Sequence, residues 1–212
     1  MFAALAISLA AALPAQAQVT GDVQAGAGKV AMCVGCHGII GYKASFPEVY
    51  RVPAIAGQNA KYITSALDAY RKGTRKHPSM RGIAGSLSDQ DIADVAAYYE
   101  QLGPKAEELP APREPSTNVA ELLKKGACAS CHGDNFSKPI DPTYPKLSGQ
   151  YPDYLFIALK SYRDDTHHTW GRGNAIMAGM AKQFSDAELK AIANYLGSLP
   201  TQIHTVPEAR FR

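Results

Sequence analysis

Apolar side chains recur along this chain at helix spacing. From Asn59 to Arg71, Ile63, Ala66, Leu67 and Tyr70 fall on one stripe, the pattern of a helix with a single buried face. Ser88-Asp-Gln-Asp91 and Ser185-Asp-Ala-Glu188 read as capping boxes. Each opens an amphipathic segment that closes near Leu102 or Leu199, where Gly103-Pro104 and Pro200 stop the helix. Asn118 is placed to cap a further helix through Leu122 and Leu123. Alternating strand patterns are absent, so the sequence predicts an all-α protein with long loops.

The pattern also repeats. Cys33-Val-Gly-Cys36-His37 returns as Cys128-Ala-Ser-Cys131-His132, and Pro53-Ala-Ile-Ala-Gly57-Gln58 as Pro145-Lys-Leu-Ser-Gly149-Gln150. Nine residues after each Pro comes a Tyr (Tyr62, Tyr154), and seventeen after it a Tyr-Arg pair (Tyr70-Arg71, Tyr162-Arg163). Met80 precedes Ser88 by eight residues, as Met177 precedes Ser185. Five landmarks in one order indicate a duplicated domain. The boundaries expected are 19–103 and 117–200, separated by a linker over 104–116 that holds Pro104, Pro110, Pro112 and Pro115 and cannot carry regular helix. Residues 201–212 read as a tail along the surface. A half of this size has too little helix to build a large core alone, and a bulky apolar cofactor at its centre would supply the deficit.

Composition narrows the class. With 46% hydrophobic and 19% charged residues in 212, the chain is globular, and a net charge of +3 gives no reason to expect nucleic acid. Phe2 to Leu13 is apolar and Ala15-Gln-Ala17 has the small-x-small form of a cleavage site, so residues 1–17 read as an export signal removed before Gln18, although the usual basic start is missing. The apolar run is shorter than the roughly 20 residues of a bilayer span. Periplasmic location follows as an expectation, with at most peripheral membrane association.

The four cysteines carry the chemistry. Cys-x-x-Cys-His is the attachment sequence of c-type haem. The two thiols add across the vinyl groups, and the following His turns its imidazole under the iron. A redox-active dithiol would be expected near a βαβ pattern, which is missing. Zinc would need further ligands, for which His77, His167 and His168 are the available side chains, and disulfides are the remaining alternative. The repeat favours two covalently attached c haems, held by Cys33, Cys36 and His37 and by Cys128, Cys131 and His132. Met80 and Met177, equivalent in the repeat and placed between helices, are the candidates for the opposite iron face, where a thioether stabilises ferrous iron and raises the potential. Met180 is the rival in the second half, but it aligns with Ile83, which cannot ligate. Met32 reads as packing. With both axial positions filled, such an iron can pass electrons but has no vacancy for substrate.

On these motifs the halves resemble class I cytochromes c, and the pair is similar to the di-haem cytochrome c4 family over about residues 20–200. The resemblance implies two tandem helical domains, each around one covalently bound haem, with the haems approaching at a pseudo-twofold interface. It implies Pro53 and Pro145 carbonyls accepting the ring N–H of His37 and His132. It further implies an electron carrier of the periplasm that is no enzyme itself and works between donor and acceptor redox proteins, among them a membrane bc1-type complex, a terminal oxidase or a dehydrogenase. The alternative is the cytochrome subunit of a complex oxidising sulfide, thiosulfate or an alcohol; a free-standing peroxidase-like enzyme would need an open iron site.

Two local features remain. Tyr162 to Met177 is fifteen residues against ten from Tyr70 to Met80. The surplus, with His167, His168 and Trp170, reads as a lid or docking patch, or as a solvated insertion. Arg71 and Arg163, at matching helix ends, could meet haem propionates or simply favour the helix C-terminus.

Overall fold

The computed structural model describes residues 19–104 and 109–207. The expected export signal over 1–17, part of the expected linker and the last five positions of the tail lie outside the described residues.

Among the described residues each half contributes five helices. The first has α1 (Val23–Ala27), α2 (Ala31–His37), α3 (Ala60–Lys72), α4 (Pro78–Gly85) and α5 (Asp89–Gln101); the second has α6 (Thr117–Lys125), α7 (Ala129–His132), α8 (Pro152–Arg163), α9 (Ala175–Ala181) and α10 (Asp186–Gly197). Strand structure among the described residues is confined to four two-residue segments, β1 (Lys43–Ala44), β2 (Tyr50–Arg51), β3 (Arg75–Lys76) and β4 (Gly171–Arg172). Both capping boxes form: the Ser88 and Ser185 hydroxyls accept the N–H of Asp91 and Glu188, whose carboxylates accept the Ser N–H in return. Ser116, rather than Asn118, occupies the cap position of α6, and Asn118 lies inside the helix.

The cores follow the stripes. Ile63 and Leu67 of α3 pack against Ile92, Val95, Ala96 and Tyr99 of α5. In the second half Leu155 of α8 packs with Leu189, Ile192, Ala193 and Leu196 of α10. Asp94 fastens α1 to α5 from inside: it is 1% exposed and accepts the Asp22 N–H at 2.8 Å, Gln90 Nε2 at 2.8 Å and Lys29 Nζ at 2.7 Å. The Lys29 ammonium, the Asp22 N–H and Gln90 hold its carboxyl below the usual carboxylate range despite the opposing effect of burial. Asp94→Ala strands the Asp22 N–H, while Lys29 keeps Asp91 at 2.6 Å and Gln90 keeps the Thr20 carbonyl at 2.9 Å, and should cost about 2 kcal/mol in denaturant unfolding. Because the folded carboxyl titrates below its unfolded value of about 3.9, its contribution is complete above that pH and is lost as pH falls through the folded value. The wild type should therefore lose more stability than the variant on acidification below pH about 4.

Several devices join the halves. Strand β3 of the first pairs antiparallel with β4 of the second, Arg75 opposite Arg172 and Lys76 opposite Gly171. These arginines are repeat equivalents, five residues before Met80 and Met177. The surplus residues of the second half are exposed from Asp165 to Thr169, as a solvated insertion would be, yet they make contacts across the junction. They reach the first half, where Lys76 Nζ donates to the carbonyls of Asp165 and His167, while His167 stacks on Trp170 with ring centroids 4.4 Å apart. The tail also differs from the sequence expectation. It crosses back to the first half, where His204 and Ala56 exchange backbone hydrogen bonds at 2.9 and 3.2 Å and Ile203 is buried. The apolar side chain of Ile203 is what draws the tail out of solvent.

Candidate functional site

In both halves the Cys-x-x-Cys-His segment is helical. Cys33, Cys36 and His37 lie on α2; Cys128 stands at the N-cap of α7, followed by Cys131 and His132 within it. None of the four cysteines is in a disulfide, and all are half-buried. Cys33 packs against the first core and Cys128 against the second. Burial pushes both thiols up from their ordinary values, the opposite of the depression that a dithiol redox centre needs.

The two imidazoles are held alike. His37 Nδ1 donates to the Pro53 carbonyl at 2.8 Å and His132 Nδ1 to that of Pro145 at 3.2 Å. Each Nδ1 is thereby committed, which leaves Nε2 as the free ring nitrogen. Burial lowers both imidazole pKa values; the proline carbonyls oppose it, and at His37 the charges of Arg75 and His77 add to the lowering. A neutral ring with a lone pair on Nε2 is the form that binds a metal.

Met80 and Met177 occupy the third position of α4 and α9, within the first helical turn rather than in an open loop. Their N–H groups are received by the cap side chains His77 Nδ1 at 3.3 Å and Asn174 Oδ1 at 2.9 Å. Both are half-buried, and Met80 packs against the first core. Met180, the rival, is half-buried as well, with its sulfur 3.8 Å from Gln183 Nε2. His77 and His167, candidate zinc ligands, are engaged in the α4 cap and the Trp170 stack. Among the described residues no three His, Cys, Asp or Glu side chains cluster as a metal site.

Arg71 is bound by Asp68 and Asp89, each at 2.6 Å, and Arg163 by Asp186 and the Phe184 carbonyl, so both guanidiniums have partners within the chain. The guanidiniums that sequence reasoning missed are Arg75 and Arg172, 8% and 9% exposed at the junction of the halves. They are walled by tyrosines: Arg75 lies 4.5 Å over Tyr70 and Arg172 5.1 Å over Tyr162. Arg75 donates to the hydroxyls of Tyr154 at 2.8 Å and Tyr62 at 3.3 Å, and Arg172 to Tyr154 at 3.1 Å. Burial raises the Tyr154 phenol, but the two guanidiniums outweigh it and bring the phenol below its ordinary value. Neither arginine has a carboxylate partner among the described residues, and Arg75 Nε has no acceptor. Two like charges buried together call for anions, and the chain supplies none there. Their equal offset from Met80 and Met177 was the sequence signal available.

Cys-x-x-Cys-His segments with a fixed neutral imidazole, repeated in both halves, mark the chain as a c-type cytochrome built of tandem electron-transfer domains. The cytochrome c family model matches residues 23–103 and again 116–200. The chain is 32% identical to cytochrome c4 of Azotobacter vinelandii over 86% of this chain and 91% of that protein. It is likewise 32% identical to the thiosulfate dehydrogenase electron acceptor of Stutzerimonas stutzeri over 83% of both. The solved structure of reduced cytochrome c4 from Pseudomonas stutzeri superposes with a TM-score of 0.61 at 28% identity, over 85% of this chain and 100% of that one.

The chain belongs to the cytochrome c4 family, as two tandem cytochrome c domains. It is an electron carrier of the covalently haem-bound type. No helix among the described residues is long and apolar enough to cross a membrane.

Proposed function

We propose that each half holds one haem c. Cys33 and Cys36 attach the first and Cys128 and Cys131 the second, with His37 and His132 as nitrogen ligands and Met80 and Met177 as sulfur ligands. The protein, exported to the periplasm, then carries single electrons between a donor and an acceptor redox protein. The observation that carries this reading is the repeated pairing of a Cys-x-x-Cys-His imidazole with a proline carbonyl, at equivalent positions and with the same ring nitrogen engaged.

Bound haem supplies a one-electron iron couple. The residues do the rest. Pro53 and Pro145 fix each imidazole plane and raise its basicity. The apolar cores limit water around the thioethers. Arg75 and Arg172, without a carboxylate partner among the described residues, would supply positive charge to haem propionates. With both a His and a Met holding the iron in each half, the chemistry it would supply is outer-sphere transfer.

The thiosulfate dehydrogenase electron acceptor among the relatives favours a second reading, service as the acceptor of such a dehydrogenase. Haem content and a potentiometric titration with optical detection test the first. The expected result is two haems per chain, low-spin throughout, with two one-electron steps. One haem, or a resting high-spin component, would refute it. Reduction of the oxidised protein by a thiosulfate-oxidising dehydrogenase, at a rate that saturates with its concentration, is the result expected of the second.

A further inference from the structure

The Pro-x-x-x-Gly-Gln repeat ends on a glutamine that the ligand scheme leaves without a task. In the structure each glutamine reaches into the opposite half. Gln150 Nε2 donates to the Ala54 carbonyl at 2.8 Å, and the Ala54 N–H donates to Gln150 Oε1 at 3.1 Å. Reciprocally, Gln58 Nε2 donates to the Lys146 carbonyl at 3.0 Å, and the Lys146 N–H donates to Gln58 Oε1 at 2.9 Å. Both side chains are buried, 3% and 4% exposed. Each is aimed by the glycine before it. Gly57 and Gly149 have φ of 84° and 67°, where a side chain is strained, and a Cβ there would come within 2.0 Å of the Gln202 carbonyl oxygen or 2.2 Å of Thr201 Cβ.

The acceptor of the His37 ring N–H is the Pro53 carbonyl. That carbonyl belongs to the same peptide group as the Ala54 N–H, which donates to Gln150. The chain therefore runs from the His37 ring, through one peptide unit of its own half, to a glutamine of the other. From His132 it runs through the Pro145 carbonyl and the Lys146 N–H to Gln58. Hydrogen bonds in series through one amide polarise each other, more strongly where water is excluded. An acceptor on the N–H side makes the carbonyl oxygen more negative. It then draws harder on the imidazole proton, and the ring becomes a stronger donor to whatever its Nε2 binds.

We infer that Gln150 and Gln58 are positioning residues exchanged between the halves, each tuning the nitrogen ligand of the other half's haem. The inference rests on His37 and His132 being those ligands. Removing Gln150 weakens the pull on the His37 ring, disfavours ferric iron and raises that haem's potential; removing Gln58 does the same at His132.

The test uses the holoprotein with Gln150→Leu and Gln58→Leu made separately. Both potentials are measured by titration and assigned to a half by NMR of the haem and ligand resonances. In Gln150→Leu the redox equilibrium of the haem at Cys33 and Cys36 should move about threefold towards ferrous, roughly 30 mV at 59 mV per tenfold for one electron. In the reduced protein the His37 ring N–H proton should shift upfield while that of His132 stays in place. Gln58→Leu should give the mirror image. A looser junction alone would move both haems together; that result, a shift only in the variant's own half, or no shift overturns the inference. Should a Leu variant fail to accumulate, Gln150→Glu keeps the acceptor and adds charge, so the His37 haem should shift towards ferric, and absence of that shift is equally decisive. The wild-type spectrum judges the ligand assignment separately, since resonances from axial His37 and His132 must be present before either variant is read.

Discussion

Replacing Met80 with alanine should abolish about half of the weak sulfur-to-iron absorption band and lower one of the two potentials by on the order of 0.1 V or more, since axial-ligand identity spans about 0.8 V across haem proteins. Met177→Ala should remove the other half of the band. The thioether stabilises ferrous iron, so its loss favours the ferric state, and the position it leaves should accept carbon monoxide in the reduced protein. Met180→Leu should leave band and potentials unchanged, because that sulfur is engaged by Gln183 and Met180 aligns in the repeat with Ile83, which cannot ligate. If the Met180 variant lost the band and Met177→Ala kept it, the choice of ligand in the second half would be reversed. Each variant should keep its fold: Met80 and Met177 sit in the first turn of short helices whose caps, His77 and Asn174, remain.

Arg75→Leu should lower both potentials by tens of millivolts and destabilise the holoprotein by about 3 kcal/mol. The stability figure is that of leaving a buried anion without its partner. The potential shift follows from sign: a cation near iron disfavours the ferric state, and its removal relieves that. A unit charge at about 10 Å, with an effective dielectric of about 20, is worth about 1.7 kcal/mol, or about 70 mV for one electron. Arg75 donates to Tyr62 and Tyr154 as well, so Leu also strands two hydroxyl contacts. Arg75→Lys separates the effects. It keeps the charge but not the planar fork that stacks on Tyr70, and should hold both potentials near wild type while losing part of the stability. Thermal melts and potentiometry on the same samples check this, and unchanged potentials in Arg75→Leu would remove the arginine from the haem environment.

The helices and the twofold repeat were legible because both are written in short-range pattern. Ser88 with Asp91, and Ser185 with Glu188, carry their own start signals within four residues, and the stripe of Ile63, Leu67 and Tyr70 fixes the buried face of α3 locally. The candidate thiols, imidazoles and thioethers could be named for the same reason, since a short motif recurring at one offset needs no tertiary knowledge. What the sequence hid lies at the junction. Arg75 and Arg172 look like ordinary loop cations until β3 and β4 bring them opposite one another across nearly a hundred residues. Gln58 and Gln150 look like turn residues until each is seen against the other half's backbone. The insertion after Tyr162 is solvated over Asp165 to Thr169, as one sequence reading had it, and only its contact with Lys76 was hidden, because Lys76 lies in the other half. Arg71 and Arg163 drew attention by aligning in the repeat, yet Asp68, Asp89 and Asp186 had already claimed them.

The return of the tail to Ala56 has a consequence for how the molecule responds to a cut. The chain enters the second half through the stretch after Gly103 and comes back to the first through Ile203 and His204, so the connection between halves is a closed circuit rather than a single tether. A protease acting once between 104 and 116 would yield two fragments that still travel together under native conditions and part only in denaturant.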